Sequence, residues 1–496
     1  MIVIAFLVGI ALPTLIGWLL LDLVEGRTRL LGQAEKWVMG GVLGMTVSMF
    51  VSFFANVMLG IPFTLTGFLM IFGILLLGLS IPWFLWKRES ANAVLRETPA
   101  HSLSRPLQIV LIVTGGWVAL RVIALAIFTL LTPPFFDDSM DNWNLRGKLF
   151  FFQKTFSLAF PWDPVPGVSS YPPSLPLAKT WLSTIAGGWH EGLVNSLHPL
   201  WFIALVFLVY CALRRMVAMP WAALGAILFA SLPLELIHGT NAYADVFLSA
   251  HLFIGVMLMF YALRSRAEIS ALSHLRLAAL AIALVPFTKN EGWALYFPVL
   301  LLLYGGTLLW IWKGAGACGE PSRTIPSANA GSPSSGSGAR FPIFWAALFA
   351  AAMFALFVAP WIGFKVLNNL AFGNAKGIDW NLQWQQGVVT AVTVNTFFEG
   401  NWGLLFPLFF GLLAFQWRAA FKTPLLLLSA FFLIPYVGQL FAYLTTGLSQ
   451  EALFQTGYAR GLIHLMPVVV CLTMLLLHNL LSGKAASGQR TVDNGQ

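Results

Sequence analysis

Between Phe344 and Val366 the chain reads FWAALFAAAMFALFVAPWIGFKV, a stretch with a single lysine that is long enough to cross a membrane as a helix. The stretch Leu200–Leu213 is similarly apolar on all sides. A membrane β-barrel would show short segments that alternate between apolar and polar residues. These continuous apolar stretches therefore predict membrane-spanning helices.

The composition of the whole chain supports the same fold class. Of 496 residues, 58% are hydrophobic and 9% are charged, with 42 Phe and 20 Trp, and the mean hydropathy is +0.80. So few polar residues cannot cover the surface of a soluble globule. We expect an all-α polytopic membrane protein.

Cysteines and net charge exclude several other functions. Cys211, Cys318 and Cys471 are far apart and show neither a CxxC pair nor the Cys/His spacing of a zinc site, so neither a disulfide framework nor a zinc site is expected. The formal net charge is +9, but no basic stretch is interleaved with aromatic residues. Nucleic acid is therefore not an expected partner.

Windows of about 20 residues predict about thirteen spans. They are 1–21, 37–58, 63–86, 106–132, 193–213, 218–235, 243–263, 274–289, 291–312, 341–365, 400–416, 424–442 and 460–481. A signal peptide is the alternative for 1–21, but the basic start and the cleavage site are missing. The short apolar segment 175–188 is expected to lie along the membrane surface.

With these spans, the basic clusters all fall on the same side of the membrane. The clusters begin at Arg27, Lys87, Arg214, Arg264, Lys313, Arg418 and Lys484. Since cytoplasmic loops are enriched in Lys and Arg, this side is expected to be cytoplasmic. The sequence thus predicts a bacterial-type plasma (inner) membrane, an external N-terminus and a cytoplasmic C-terminus.

Residues 313–340 are rich in Gly, Ser, Ala and Pro and predict a flexible cytoplasmic linker. The linker separates a front block of helices from the C-terminal helices of 341–496. Neither an internal repeat nor an inverted pair of interrupted helices is evident.

The long loop 133–192 is predicted to be external and begins with the stretch FFDDSMDNW at 135–143. From Met140 to Lys154, apolar residues share one side of a helix, which predicts a surface helix. A second helix is expected after the turn at Tyr171. The acids of the stretch either mark the end of a span or carry out chemistry.

Two further polar segments are predicted on the same side. Asp245 begins a helix, and Lys289, Asn290 and Glu291 form a tight turn between two apolar segments. An acid in the first helical turn is favoured by the helix dipole alone, and a charged turn can simply join two helices. Each segment is therefore ambiguous by itself, but the three external sites can converge.

In their order along the chain, FFDDSMDNW, the Tyr-Pro-Pro turn, TNAYAD and TKNEGW resemble segments of the GT-C superfamily of polyprenyl-phosphate-sugar-dependent glycosyltransferases. The resemblance is to the bacterial branch related to lipid A aminoarabinose transferases and protein O-mannosyltransferases, and it covers about 106–365. It implies a catalytic core at 106–312 and added N-terminal helices at 1–105. The first acidic pair is Asp-Asp where the mannosyltransferases have Asp-Glu, which leaves open which carboxylate acts.

The resemblance implies transfer of a sugar from a polyprenyl-phosphate-linked donor to a hydroxyl of a glycolipid, glycan or protein acceptor. Such a reaction needs a base for the acceptor hydroxyl and positive charge at the leaving phosphate. The expected base is Asp138 or Asp137, with Asp245 orienting the acceptor. The expected donor-phosphate ligands are Lys289, Arg146, Lys148 and Arg460, and those for the sugar or acceptor are Glu291, Asp141, Trp143, Tyr171 and Asn290.

Some alternatives stay open. A divalent cation, Mg or Mn, would suit Asp137, Asp138 and Asp245 as oxygen ligands. Arg460 can also be an arginine whose head reaches the membrane surface from a helix end. A transporter or flippase of lipid-linked glycans is the competing function, although charges in the middle of the spans would then be expected. An enzyme resembling O-antigen ligases is a third hypothesis, based on His238 and Arg460.

Overall fold

The computed structural model describes residues 2–26, 28–85, 105–134, 138–159, 168–265, 268–317, 340–373, 384–454 and 457–492. Asp137 and most of the predicted linker lie outside these residues. Within them, ten helices are long and apolar enough to cross a membrane, or eleven if one bent pair is counted as a span. The chain is an all-α polytopic membrane protein, which confirms the predicted fold class.

The ten helical spans are Ile2–Glu25, Gln33–Leu59, Leu65–Leu85, Arg105–Leu131, Glu191–Arg214, Asp245–Arg264, Ile269–Phe287, Gly292–Lys313, Pro342–Leu367 and Leu425–Thr445. Shorter apolar helices are Val388–Phe397, Leu405–Phe415 and Met466–Ser482. The predicted span 400–416 forms only Leu405–Phe415, whose 11 residues extend about 16 Å, well short of a bilayer core of about 30 Å. The predicted total of about thirteen therefore exceeds the number of long spans in the described part of the chain.

A sharp bend interrupts the predicted span 218–235. The helix Met219–Ser231 is followed by Pro233–Thr240, and the two axes differ by 71°. Pro233 causes this break, because proline has no amide hydrogen and disfavours a helical residue before it. Leu232 is accordingly extended, with φ −62° and ψ 121°.

The helix Asp245–Arg264 lies at the centre of the bundle. Of its most apolar 18-residue segment, 94% is buried inside the protein. The second N-terminal helix, Gln33–Leu59, packs directly on it, and Thr46 Oγ1 lies 2.8 Å from His251 Nε2. Gly17 and Gly44 let the first two helices approach closely, because a Cβ at Gly17 would lie 2.7 Å from the Gly44 Cα atom. Small residues at such interfaces are typical of membrane helices.

Two polar clusters lie at opposite ends of the central helix. At its Arg264 end, buried Lys36 donates to Asp22 over 2.6 Å, and the Arg215 guanidinium lies 4.6 Å from the Tyr261 ring centroid. The other cluster surrounds Asp245, the first residue of the helix. With a rise of about 1.5 Å per residue, the ends of this helix are about 30 Å apart.

The two helices predicted in the long loop are present, as Leu145–Gln153 and Ser174–Ala186. The second of them is almost entirely buried, and the Trp181 indole donates to the carbonyl of Gly9 over 2.8 Å. Its apolar residues are thus covered by other helices of the protein rather than by lipid, which differs from the predicted surface position. On the first helix Phe150 and Phe151 are buried, as the predicted apolar side requires.

Candidate active site

Asp245 is the most enclosed acid of the site. It begins the central helix, and its side chain is 0% exposed. A buried carboxylate is costly unless it is paired and hydrogen-bonded. The position at a helix N-terminus contributes some stabilisation of the negative charge. Most of the compensation must come from neighbouring side chains.

Four side chains from three regions of the chain surround Asp245. On Oδ1, Lys289 Nζ donates over 2.7 Å and His464 Nε2 lies 3.1 Å away. On Oδ2, His238 Nδ1 and the Arg460 guanidinium each lie 3.2 Å away. Each carboxylate oxygen therefore has two nitrogen partners, so Asp245 holds together the turn at Lys289, the bent helix and the C-terminal segment.

Asp138 is joined to this cluster by Arg460. The guanidinium lies 2.6 Å from Asp138 Oδ2 while it also contacts Asp245. The Asp138 side chain is 43% exposed, whereas that of Asp245 is 0% exposed. Asp138 begins a short π-helical segment, Asp138–Asn144, a conformation that is often found at functional sites. It is the carboxylate of this pair that an incoming molecule can reach.

The charges of the cluster fix the protonation of its bases. Burial lowers the pKa of Lys289, but the Asp245 and Glu291 carboxylates raise it by more, so it lies above its ordinary value. Burial also lowers the pKa of Arg460, and Asp245 and Asp138 likewise raise it above its ordinary value. Both side chains are therefore cations at neutral pH.

His464 behaves in the opposite way. Burial lowers its pKa, and the hydrogen bond to Asp245 only partly offsets this effect. A neutral imidazole with its hydrogen on Nε2 donates to Asp245. The other nitrogen, Nδ1, lies 3.2 Å from the Tyr296 hydroxyl, which donates to the Gly461 carbonyl oxygen over 3.0 Å.

The turn Lys289–Glu291 points its three side chains in different directions. Lys289 faces Asp245, and its Nζ also lies 3.1 Å from Glu291 Oε1. The Glu291 side chain is 33% exposed, which makes it accessible from the site. Asn290 is buried and accepts a hydrogen bond of 2.7 Å from Lys365.

The long loop contributes Arg146, Trp143 and Tyr171. Arg146 is fully buried and donates to the carbonyl oxygen of Tyr171 over 2.8 Å. Trp143 packs edge-on against the Tyr171 ring, with 5.7 Å between the centroids. Burial raises the pKa of the Tyr171 hydroxyl well above its ordinary value, and the Glu291 and Asp138 charges add to this effect. Tyr171 is thus a neutral hydroxyl near the acids.

The structure brings together Asp138, Asp245, Lys289, Arg460 and Glu291. Lys148 is exposed and Asp141 is half-buried. Neither has an ion pair with these residues in the described part of the chain. Asp137 lies outside the described residues.

Three polar residues near the site had no role in the sequence analysis. His464 lies four residues after Arg460, a spacing that places two side chains on one face of a helix. Lys365 resembles an ordinary charge at the end of a span. Glu235 is 0% exposed, and neither of its carboxylate oxygens has a hydrogen-bond partner.

Of the suggested metal ligands, the two that the structure describes, Asp138 and Asp245, do not fit a hard divalent cation. Asp245 is surrounded by Lys289, Arg460 and two imidazoles, and Asp138 is paired with Arg460. In the ranges that the structure describes, no group of three or more His, Cys, Asp or Glu side chains is placed to hold a metal ion.

Comparisons with known proteins give one likeness. No family model matches the chain, and no curated protein matches it. Among solved structures, the chain is similar to ArnT from Cupriavidus metallidurans in the apo state, with a TM-score of 0.46 and 15% sequence identity. The match covers 77% of this chain and 63% of that one, so the chain spans less than two thirds of the length of ArnT.

Proposed function

We propose that this chain is an integral-membrane glycosyltransferase that moves a sugar from a polyprenyl-phosphate-type lipid donor to a hydroxyl acceptor. The acceptor is a cell-envelope glycolipid, a glycan or a protein. The observation that carries the proposal is the pair formed by accessible Asp138 and Arg460, anchored on buried Asp245. One carboxylate faces the site while a second, enclosed one fixes the cations beside it.

In the proposed reaction, Asp138 accepts the proton of the acceptor hydroxyl. The acceptor oxygen forms a bond to the anomeric carbon, and the bond from that carbon to the donor phosphate oxygen breaks. The electron pair leaves with the lipid phosphate, whose growing negative charge is stabilised by nearby cations. Arg460 and Lys289 are charged and fixed in place, so they need no rearrangement as the reaction proceeds.

The proposed face is extracytoplasmic. The site lies at the Asp245 end of the central helix, whereas Arg215 and Lys36 belong to the opposite end. Since basic residues favour the cytoplasmic side, the Asp245 end faces outward in this proposal. A bacterial-type inner membrane provides a lipid-linked donor on that face.

An enzyme that resembles O-antigen ligases is the second candidate. It is favoured by one observation, that His238, His464 and Arg460 all contact the same carboxylate. In that reaction an imidazole would be required and Asp138 would be dispensable. Replacing His238 and Asp138 separately therefore distinguishes the two candidates.

The test uses the full chain, purified into lipid nanodiscs, with polyprenyl-monophosphate sugars and a total envelope-lipid extract as acceptor. We expect release of polyprenyl phosphate and a product whose mass rises by one sugar residue. A strain that lacks the protein should lose the same sugar from one envelope molecule, as observed by mass spectrometry. No release with any donor, together with an unchanged glycan profile in that strain, would refute the proposal.

A further inference from the structure

Two buried basic side chains near the site lack a carboxylate partner. Arg146 and Lys365 are 0% and 1% exposed. Within the described ranges, neither forms an ion pair with a carboxylate. Lys289 and Arg460 differ, since each contacts two carboxylates. An anion that binds Arg146 and Lys365 would therefore not have to displace a carboxylate.

These two cations hold the same short loop from different sides. Arg146 donates to the carbonyl oxygen of Tyr171 over 2.8 Å, and Lys365 donates to that of Ser170 over 2.9 Å. Since consecutive residues are 3.8 Å apart at Cα, the two charges lie within about 10 Å of each other. They are close enough to repel.

The hydrogen bonds in place do not use the full capacity of either side chain. Arg146 Nε is buried and has no hydrogen-bond partner. Lys365 Nζ donates to Ser170 and Asn290, and its charge lies 5.3 Å from the centroids of both Trp361 and Phe372. Carbonyl oxygens and aromatic rings moderate a positive charge but do not neutralise it.

A buried lysine beside a buried arginine is favoured in its charged form when an anion lies between them. Burial lowers the pKa of Arg146 to about 9, so it still carries its charge at neutral pH. Its planar fork of donors matches a phosphoryl group, which a lysine can contact as a second, compact charge. An anion with several acceptor oxygens therefore fits better than a single carboxylate.

The position of Lys365 favours a lipid-linked anion. It lies near the end of the span Pro342–Leu367, where Val366 and Leu367 are 59% and 84% exposed. An isoprenoid tail has to stay in the bilayer while its phosphate enters the protein. A helix end with exposed apolar residues next to a buried lysine permits both.

We propose that Arg146 and Lys365 bind the phosphoryl group of the lipid donor at the Ser170–Tyr171 loop. Arg146 and Lys365 would hold the phosphoryl group in place, while Lys289 and Arg460 stabilise the charge that develops during the reaction. This inference rests on the proposed function and assigns its donor-phosphate site. It adds Lys365 as a binding residue and separates Arg146 from Lys148, which is exposed on the same helix.

The test measures binding to the full chain in nanodiscs by three probes: polyprenyl monophosphate, the uncharged polyprenol and inorganic phosphate. Lys365→Met should weaken binding of polyprenyl monophosphate by about 10- to 100-fold, as expected for loss of a charged hydrogen bond. Binding of polyprenol should be unchanged. Inorganic phosphate should compete with the lipid, because the phosphoryl group itself is recognised.

Two further variants serve as controls. Lys422→Met removes an exposed lysine that has no role in the proposed site, and it should bind the lipid phosphate as the wild type does. Lys365→Gln keeps a donor for Ser170 without the charge and should lose affinity while it folds normally. If both Lys365 variants are folded and bind polyprenyl monophosphate with wild-type affinity, the inference is wrong.

The binding assay does not depend on sugar transfer. Binding that requires Lys365, in a protein that transfers no sugar, would leave this inference standing and refute the proposed function. If Lys365→Met transfers sugar with the donor KM of the wild type, this inference is wrong and the proposed function stands.

Discussion

Replacing Asp245 with asparagine removes the charge that four side chains share. The variant loses two charge-assisted hydrogen bonds, from Lys289 at 2.7 Å and from Arg460 at 3.2 Å. Each cation keeps one other carboxylate, Glu291 at 3.1 Å and Asp138 at 2.6 Å. These partners are more exposed than Asp245 and only partly compensate for it.

The expected loss of unfolding free energy is about 3–5 kcal/mol, the usual cost of breaking a buried ion pair from one side. The assay is reversible unfolding in mixed detergent micelles, followed by tryptophan fluorescence and helix content. Asp141→Asn is the matched control, because Asp141 is half-buried on the same π-helical segment as Asp138. It should change the stability by less than about 1 kcal/mol.

An unfolding free energy of Asp245→Asn within about 1 kcal/mol of that of the wild type would contradict this expectation. Such a result would mean that the cluster carries little coupling between the central helix and the C-terminal segment. A loss of activity without a loss of stability would instead assign Asp245 a direct chemical role.

Two other expectations concern packing and pH. Gly17→Ala places a Cβ against the backbone of the second helix and should destabilise the protein by about 1–3 kcal/mol, whereas Gly78→Ala, with open space around it, should not. An equal response of the two variants in thermal unfolding would contradict this packing. Burial lowers the pKa of Lys179 from 10.5 to about 7, against the opposing charge of Glu191. Between these values the unfolded chain binds more protons, so stability should rise with pH by up to about 1.4 kcal/mol per unit. Lys179→Met should flatten that rise, and the same slope in both proteins would exclude a deprotonated Lys179.

The spans were predictable because hydrophobic length is a property of the sequence alone. The bend at Leu232 was missed although Pro233 is visible in the sequence, because a window average of hydropathy does not register one backbone restriction. The length of Leu405–Phe415 was overestimated for the same reason, since flanking apolar residues raise the average without continuing the helix.

The site was predictable only as a set of polar segments on one side of the membrane. The distribution of basic residues among the loops placed Asp138, Asp245 and Lys289 on the same side of the membrane. In the structure, Lys289 Nζ lies 2.7 Å from Asp245 Oδ1. The contact of His464 with Asp245 crosses 219 residues of sequence, and no local pattern signals it. The contrast between an exposed Asp138 and an enclosed Asp245 depends on packing, so both acids look like ordinary helix ends in the sequence.

The central claim is that Asp138 removes the proton of the acceptor hydroxyl. The most direct test is the single-turnover rate of sugar transfer by Asp138→Asn, with donor bound at saturation and with the wild type as the reference. The account predicts a loss of about 100- to 10,000-fold in Asp138→Asn, with unchanged donor affinity, because general-base catalysis contributes about that much. A rate in Asp138→Asn within a few-fold of the wild-type rate would contradict it.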